Sequence, residues 1–141
     1  IAKIINLKNR NIHYKIGLTI CYDLRFPQLF QKLAINGAEI ITVPSFFMQT
    51  TGKDHWHTLL KARAIETGCY IIAPAQIGSF FNKRRAFGHS LIVSPWGRII
   101  DDAETDRKII IGKVDLKEVK EARSRIPSLK VKKKIKVEVN F

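Results

Sequence analysis

The stretch Tyr14-Lys15-Ile16-Gly17-Leu18-Thr19-Ile20-Cys21-Tyr22-Asp23-Leu24-Arg25-Phe26-Pro27 decides how the chain is read. Tyr14–Ile20 is rich in β-favouring residues and stops at Cys21, as a buried strand would. Pro27 suits the first turn of a helix. Leu29, Phe30, Leu33 and Ala34 then share one helical face until Asn36-Gly37 ends it. Strand, thiol-bearing turn and helix follow in the order from which α/β folds are built.

Working outward, the alternation continues. Glu39–Val43 reads as a short buried strand halted by Pro44. Asp54 is expected to cap a helix carrying Trp56, Leu59, Leu60 and Ala64 at helical spacing up to Gly68, after a Thr- and Gly-rich loop. Cys69–Pro74 is another buried strand. His89–Ser94 and Arg98–Asp101 read as a hairpin turned by Pro95-Trp96-Gly97. Lys108–Val114 is expected as a further strand, followed by Asp115 as a cap and a helix over Leu116–Arg125, with Pro127 beyond it. Residues 129–141 read as a basic, extended tail. No repeat, linker or second domain interrupts the 141 residues, so residues 1–141 read as one α/β unit with a mixed, buried sheet.

Composition narrows the function classes. A hydrophobic fraction of 45% excludes wholesale disorder, and no apolar run reaches the roughly 18 residues of a membrane helix. Two cysteines without an export signal fit reduced thiols in the cytoplasm better than a disulfide scaffold. The first residue is Ile1, and Ile1-Ala2-Lys3-Ile4-Ile5 already reads as a strand, so the chain is expected to be cut from something longer. A net charge of +13 raises a nucleic-acid reading. Residues 1–106 hold 13 Lys/Arg against 8 Asp/Glu, whereas 107–141 hold 12 against 4. Over half the excess therefore lies in the last quarter, where no aromatic residue interrupts Lys130-Val131-Lys132-Lys133-Lys134-Ile135-Lys136 to stack a base. A solvated tail explains the run.

Cys21 is the strongest chemical candidate. At the carboxyl end of a buried strand and just before a helix, a thiol lies near backbone N–H groups that can lower its pKa and receive an oxyanion. On position alone, a structural cysteine remains the commoner reading. Cys69 reads as core. A cysteine nucleophile needs a base, and position assigns none of His13, His55, His57 and His89 to that task. His55 and His57, two apart, point to different helix faces, and the i, i+4 spacing of a helical metal site is missing. No metal site is expected. Neither phosphate-binding glycine pattern occurs.

The segment Gly17–Pro27 resembles the nucleophile segment of the nitrilase superfamily, the carbon–nitrogen hydrolases. The resemblance continues through Val43-Pro44-Ser45-Phe46, Thr51-Gly52-Lys53-Asp54-His55-Trp56, Lys61-Ala62-Arg63-Ala64-Ile65-Glu66, Ala73-Pro74-Ala75-Gln76, Phe87–Gly97 and Arg125-Ile126-Pro127-Ser128-Leu129. Lys83-Arg84-Arg85-Ala86-Phe87-Gly88-His89-Ser90 is more similar to the branch containing deaminated glutathione amidases than to the omega-amidases.

This resemblance implies the C-terminal portion of a four-layer α-β-β-α sandwich. It implies amide hydrolysis through a Cys21 thioester, on a small-molecule amide and without a cofactor. The family's base is a Glu and its oxyanion donor a Lys. Both, with a second Glu, lie upstream of the Cys, whereas the 20 residues before Cys21 contain no Glu. The Tyr22 N–H would complete the oxyanion hole. Arg25 and Thr51 match positions that hold a substrate carboxylate, although Arg25 could instead pair with Asp23 or Glu66. Arg63 and Glu66, three apart on one helix, read as a structural pair. His57 stands where the family usually has Glu. The expectation is an amidase portion, inactive alone, whose N-terminal half comes from elsewhere and which forms a homo-oligomer when complete. A non-catalytic remnant and a small basic nucleic-acid-binding module are the alternatives. Unpaired edges and apolar surface should make the chain self-associate.

Overall fold

The computed structural model describes residues 2–9, 12–80, 84–131 and 138–139. The strands are β1 (Lys3–Asn9), β2 (Ile12–Leu18), β3 (Ile40–Thr42), β4 (Tyr70–Ala73), β5 (Ser79–Phe80), β6 (Arg84–Arg85), β7 (Leu91–Val93) and β8 (Ile99–Asp102). Helices α1 (Pro27–Ile35), α2 (Gln49–Thr67) and α3 (Leu116–Arg125) complete the framework. Six strands form one sheet in the order β1-β2-β3-β4-β7-β8, while β5 and β6 make a separate ribbon. The pairs β2–β3 and β3–β4 are parallel and the other pairs antiparallel. Parallel neighbours need crossovers, which α1 and α2 supply.

Strand alternation sorts the side chains by face. Ile41, Val43, Ile71, Ala73, Leu91 and Val93 pack with Phe30, Leu33 and Ala34 of α1 and Trp56, Leu60 and Ala64 of α2. On the opposite face, Ile40 and Tyr70 meet Val119 of α3, with Tyr14, Ile16, Ile72, Ile100 and Val114 partly buried beside them. The Tyr70 hydroxyl donates to Glu118 Oε2 at 2.6 Å and accepts the Asp115 N–H at 3.2 Å, fixing the start of α3 to β4. The β1–β2 register places Leu7 opposite Tyr14, Ile5 opposite Ile16 and Lys3 opposite Leu18. Ile5, Leu7 and Leu18 therefore share this second face, and all three are exposed. The second sheet of a four-layer sandwich is not among the described residues. These six strands make one layer.

Several expectations hold. Asp115 caps α3, its side chain accepting the Lys117 N–H. The hairpin around Pro95-Trp96-Gly97 forms, with the Gly97 N–H donating to the Ser94 carbonyl at 2.9 Å. Three expectations fail. β2, read as a buried strand, leaves His13, Lys15 and Leu18 exposed, Leu18 because its face lacks a covering layer at that end of the sheet. Helix α2 starts at Gln49 with Met48 as its cap, not at Asp54. No side chain caps it, and Gly52 lies inside the helix because any Cβ there would collide with the Phe87 ring. Lys108–Val114 forms no strand. That segment crosses the sheet face, with Gly112 against Ile92 and Ile100, and leaves Ile109 and Ile111 in solvent. In the expected basic tail, Ser128–Lys130 forms a single 3-10 turn; residues 132–137, 140 and 141 lie outside the described residues.

Candidate active site

Beyond β2 the chain is clamped to the end of β3. The Thr19 N–H and hydroxyl both donate to the Thr42 carbonyl, at 3.1 and 2.8 Å, and the Cys21 N–H donates to the Pro44 carbonyl at 2.9 Å. Cys21–Arg25 then forms a 3-10 turn. Its first residue has φ +46°, a left-handed conformation rare for a residue with a Cβ. Such a backbone costs on the order of 1–3 kcal/mol and persists only where the surroundings dictate it. Here they do. Asp23 Oδ2 accepts the Ile20 N–H at 2.9 Å, while the Asp23 N–H donates to the Ile20 carbonyl at 3.0 Å. The Cys21 thiol lies 3.4 Å from the Phe46 carbonyl. Among the described residues, the Tyr22 N–H meets no acceptor.

A buried arginine holds the far side of the turn. Arg63 of α2, 5% exposed, donates from Nε and Nη2 to the Leu24 carbonyl at 3.0 and 2.9 Å. Its Nη1 meets Glu66 at 3.1 Å, so the pair read from spacing exists. Its larger task, tying α2 to the Cys21 turn, has no signature in sequence, because the acceptor is a backbone oxygen 39 residues away.

Arg25 pairs with neither Asp23 nor Glu66. Its Nη1 and Nη2 lie 3.4 Å from His55 Nδ1, with the guanidinium 5.3 Å from the Phe47 ring centroid and 5.8 Å from that of Tyr22. Thr51 precedes His55 by one helical turn on α2, its hydroxyl 3.4 Å from the Met48 carbonyl. The structure thus gathers Cys21, Tyr22 and Arg25 in one turn and sets Thr51 on the same helix as Arg25's neighbour. Ile20, Tyr22 and Phe26 are half or more exposed, which leaves the walls around Cys21 open to solvent. A separate cleft of about 230 Å³, lined by Trp96, Arg98, Glu118 and Arg125 among others, does not reach this turn.

Cys21 and Cys69 are both free thiols. Cys69 is core, as expected, but it has polar company. Its thiol lies 3.3 Å from the Ala38 carbonyl and 3.1 Å from Nη2 of Arg123, which also donates to the Thr67 and Ala38 carbonyls. Burial pushes the Cys69 thiol up, against the opposing pull of Arg123. Cys69 is inert.

Sequence reasoning missed a second cluster. His57 Nε2 lies 2.9 Å from Asp102 Oδ2, and His89 Nδ1 lies 3.1 Å from both Asp102 oxygens. Burial raises the pKa of the Asp102 carboxyl, but hydrogen bonds from His57, the Glu104 N–H and His89 outweigh it, and the net shift is downward. His55 and His57 do point to different places, as their spacing predicts.

A parallel-centred sheet, two crossover helices on one face and a left-handed cysteine at the end of β2 define a class. The model of the carbon–nitrogen hydrolase family matches residues 5–124, and the chain belongs to that family. It is 46% identical over 114 residues to the deaminated glutathione amidase of Synechocystis, covering 81% of this chain and 42% of that protein. Among solved structures, it is similar to the C. elegans NitFhit protein, at 42% identity and a TM-score of 0.77, over 80% of this chain and 27% of that one. S. cerevisiae Nit3, a member of branch 10 of the nitrilase superfamily, matches at 32% identity and a TM-score of 0.78, over 89% of this chain and 45% of that one. The chain therefore spans less than half the length of these relatives.

Proposed function

We propose that this chain carries the nucleophile and part of the substrate cradle of an amidase acting on small, carboxylate-bearing amides. The left-handed Cys21 carries the reading. A strained cysteine, held by Pro44 and by Arg63 through Leu24, directly precedes Tyr22, whose N–H meets no acceptor among the described residues. In the proposed reaction Cys21 Sγ attacks the amide carbonyl carbon, and the oxyanion accepts the Tyr22 N–H. The C–N bond then breaks, the amine leaves with a proton, and water hydrolyses the thioester to the acid and the thiol. Arg25, whose planar fork suits a carboxylate, and Thr51 hold the distal end of the substrate.

The base and the second oxyanion donor, a Glu and a Lys by family resemblance, come from outside these 141 residues. Similarity to proteins named deaminated glutathione amidase supports an amide with a nearby carboxylate as the substrate class. The complete enzyme is proposed to work as a homo-oligomer, without a cofactor, in the reducing cytoplasm where both thiols stay free.

The test is ammonia release from a dicarboxylic monoamide. The 141-residue chain alone should show no turnover. Supplying the segment with the Glu and Lys, in one reading frame or as a second chain, should restore it, and Cys21→Ala should abolish it again. Turnover by the isolated chain would overturn the shared-site reading. An inert complemented protein would overturn the amidase itself.

A further inference from the structure

From the convergence of His57, His89 and Asp102 we infer a binding site for a transition-metal dication, Zn²⁺ in the first instance. The three come from different places in the fold: α2, the irregular segment before β7, and the last residue of β8. One ligand atom from each lies within 4.8 Å of the other two, and all three side chains are partly buried. Two imidazoles with one carboxylate suit Zn²⁺ and its neighbours rather than Mg²⁺ or Ca²⁺, which prefer oxygen. Zinc ligands at about 2.0–2.1 Å stand about 3.3 Å apart in a tetrahedron, so ring movements on the order of 1 Å close the site.

The surroundings hold the ligands in place. The Glu104 N–H donates to Asp102 Oδ1 at 2.7 Å, orienting the carboxylate. Trp56 Nε1 donates to the His89 carbonyl at 2.8 Å, and His89 has φ +56°, a conformation its Cβ disfavours. The Phe87 ring stacks on His89, with centroids 4.4 Å apart, and stands edge-on to His57 at 5.9 Å, giving the pair an apolar wall. Outer contacts of this kind orient metal ligands. Without the ion, the rings and the carboxylate share hydrogen bonds. With it, His57 Nε2 and His89 Nδ1 present lone pairs, and each ring's proton shifts to its other nitrogen. Water takes the fourth position. No hydrogen bond joins this cluster to Cys21 among the described residues.

The experiment titrates Zn²⁺ into the 141-residue chain carrying Cys21→Ser, which removes the half-buried competing thiol. Calorimetry should give one equivalent, and Co²⁺ in its place should show the visible bands of a tetrahedral N/O site. His57→Gln and Asp102→Asn should each weaken binding by about 100-fold, whereas His55→Ala should leave it unchanged. Zn²⁺ should raise the melting temperature of the parent but of neither ligand variant, with circular dichroism confirming that the variants fold. Absence of stoichiometric binding by the parent would overturn the site. So would affinity that survives both ligand substitutions, or that falls equally in His55→Ala.

Discussion

The two faces of the six-stranded sheet are built from the same kinds of residue and end in different states. Beneath α1 and α2, Ile41, Val43, Ile71, Ala73, Leu91 and Val93 have no solvent contact. On the other face, Ile5 and Leu18 are 39% exposed and Leu7 47%, while Tyr70 and Ile40 a few strands away are buried under α3. Strand sequence therefore does not set burial by itself. The covering layer does, and on the second face α3 and the 109–114 segment leave the β1–β2 end uncovered.

The largest break in the comparison should come from the covered face. Leu60→Ala removes a fully buried side chain between α2 and the sheet and should cost about 2–5 kcal/mol, read from the urea unfolding midpoint. Arg63→Met comes next. It keeps the apolar stem but strips the Leu24 carbonyl of two donors, for about 1–3 kcal/mol. It should also loosen the Cys21 turn, measured as a changed alkylation rate of that thiol, a readout that a plain loss of packing elsewhere would not move.

The partly covered region should respond to pH. Burial, and then the hydrogen bond to Glu118, push the Tyr70 hydroxyl from its ordinary 10 up to about 12. Folding thus favours the protonated phenol. Its contribution is complete below pH 10 and is lost as pH rises toward about 12. Stability measured across that window should fall in the parent, and Tyr70→Phe should remove this component of the slope.

The smallest effect on stability belongs to the open face. Leu7→Ser should change unfolding free energy by no more than about 1 kcal/mol, yet lower self-association in sedimentation, because about half of the side chain it removes is already in water. A large loss on Leu7→Ser would mean that this face is covered in solution by something the chain itself supplies.

How much of this was legible in sequence depends on range. Pro27, Gly68 and Asp115 mark helix ends through local chemistry, and each is where the sequence places it. The turn at Cys21 was legible from a strand followed by a helix. The start of α2 was not, because Met48 offers no capping side chain and Gly52, a loop signal in isolation, exists to admit Phe87. The strand expected at Lys108–Val114 failed for a related reason. A β-favouring apolar run makes a strand only where a neighbouring edge accepts it, and here the backbone runs across a face. Contacts between distant residues stayed hidden altogether. Nothing in local spacing joins His57 to Asp102, 45 positions on, or Arg63 to the Leu24 carbonyl.

The left-handed backbone at Cys21 bears on inheritance as well as on chemistry. Glycine at this position would adopt φ +46° without the Cβ penalty, so the backbone alone gives no reason for a cysteine there. A lineage in which Cys21 carries no chemistry has no backbone reason to keep the thiol. Persistence of cysteine in close descendants of this chain would thus be a record of chemistry still under selection, legible without an assay.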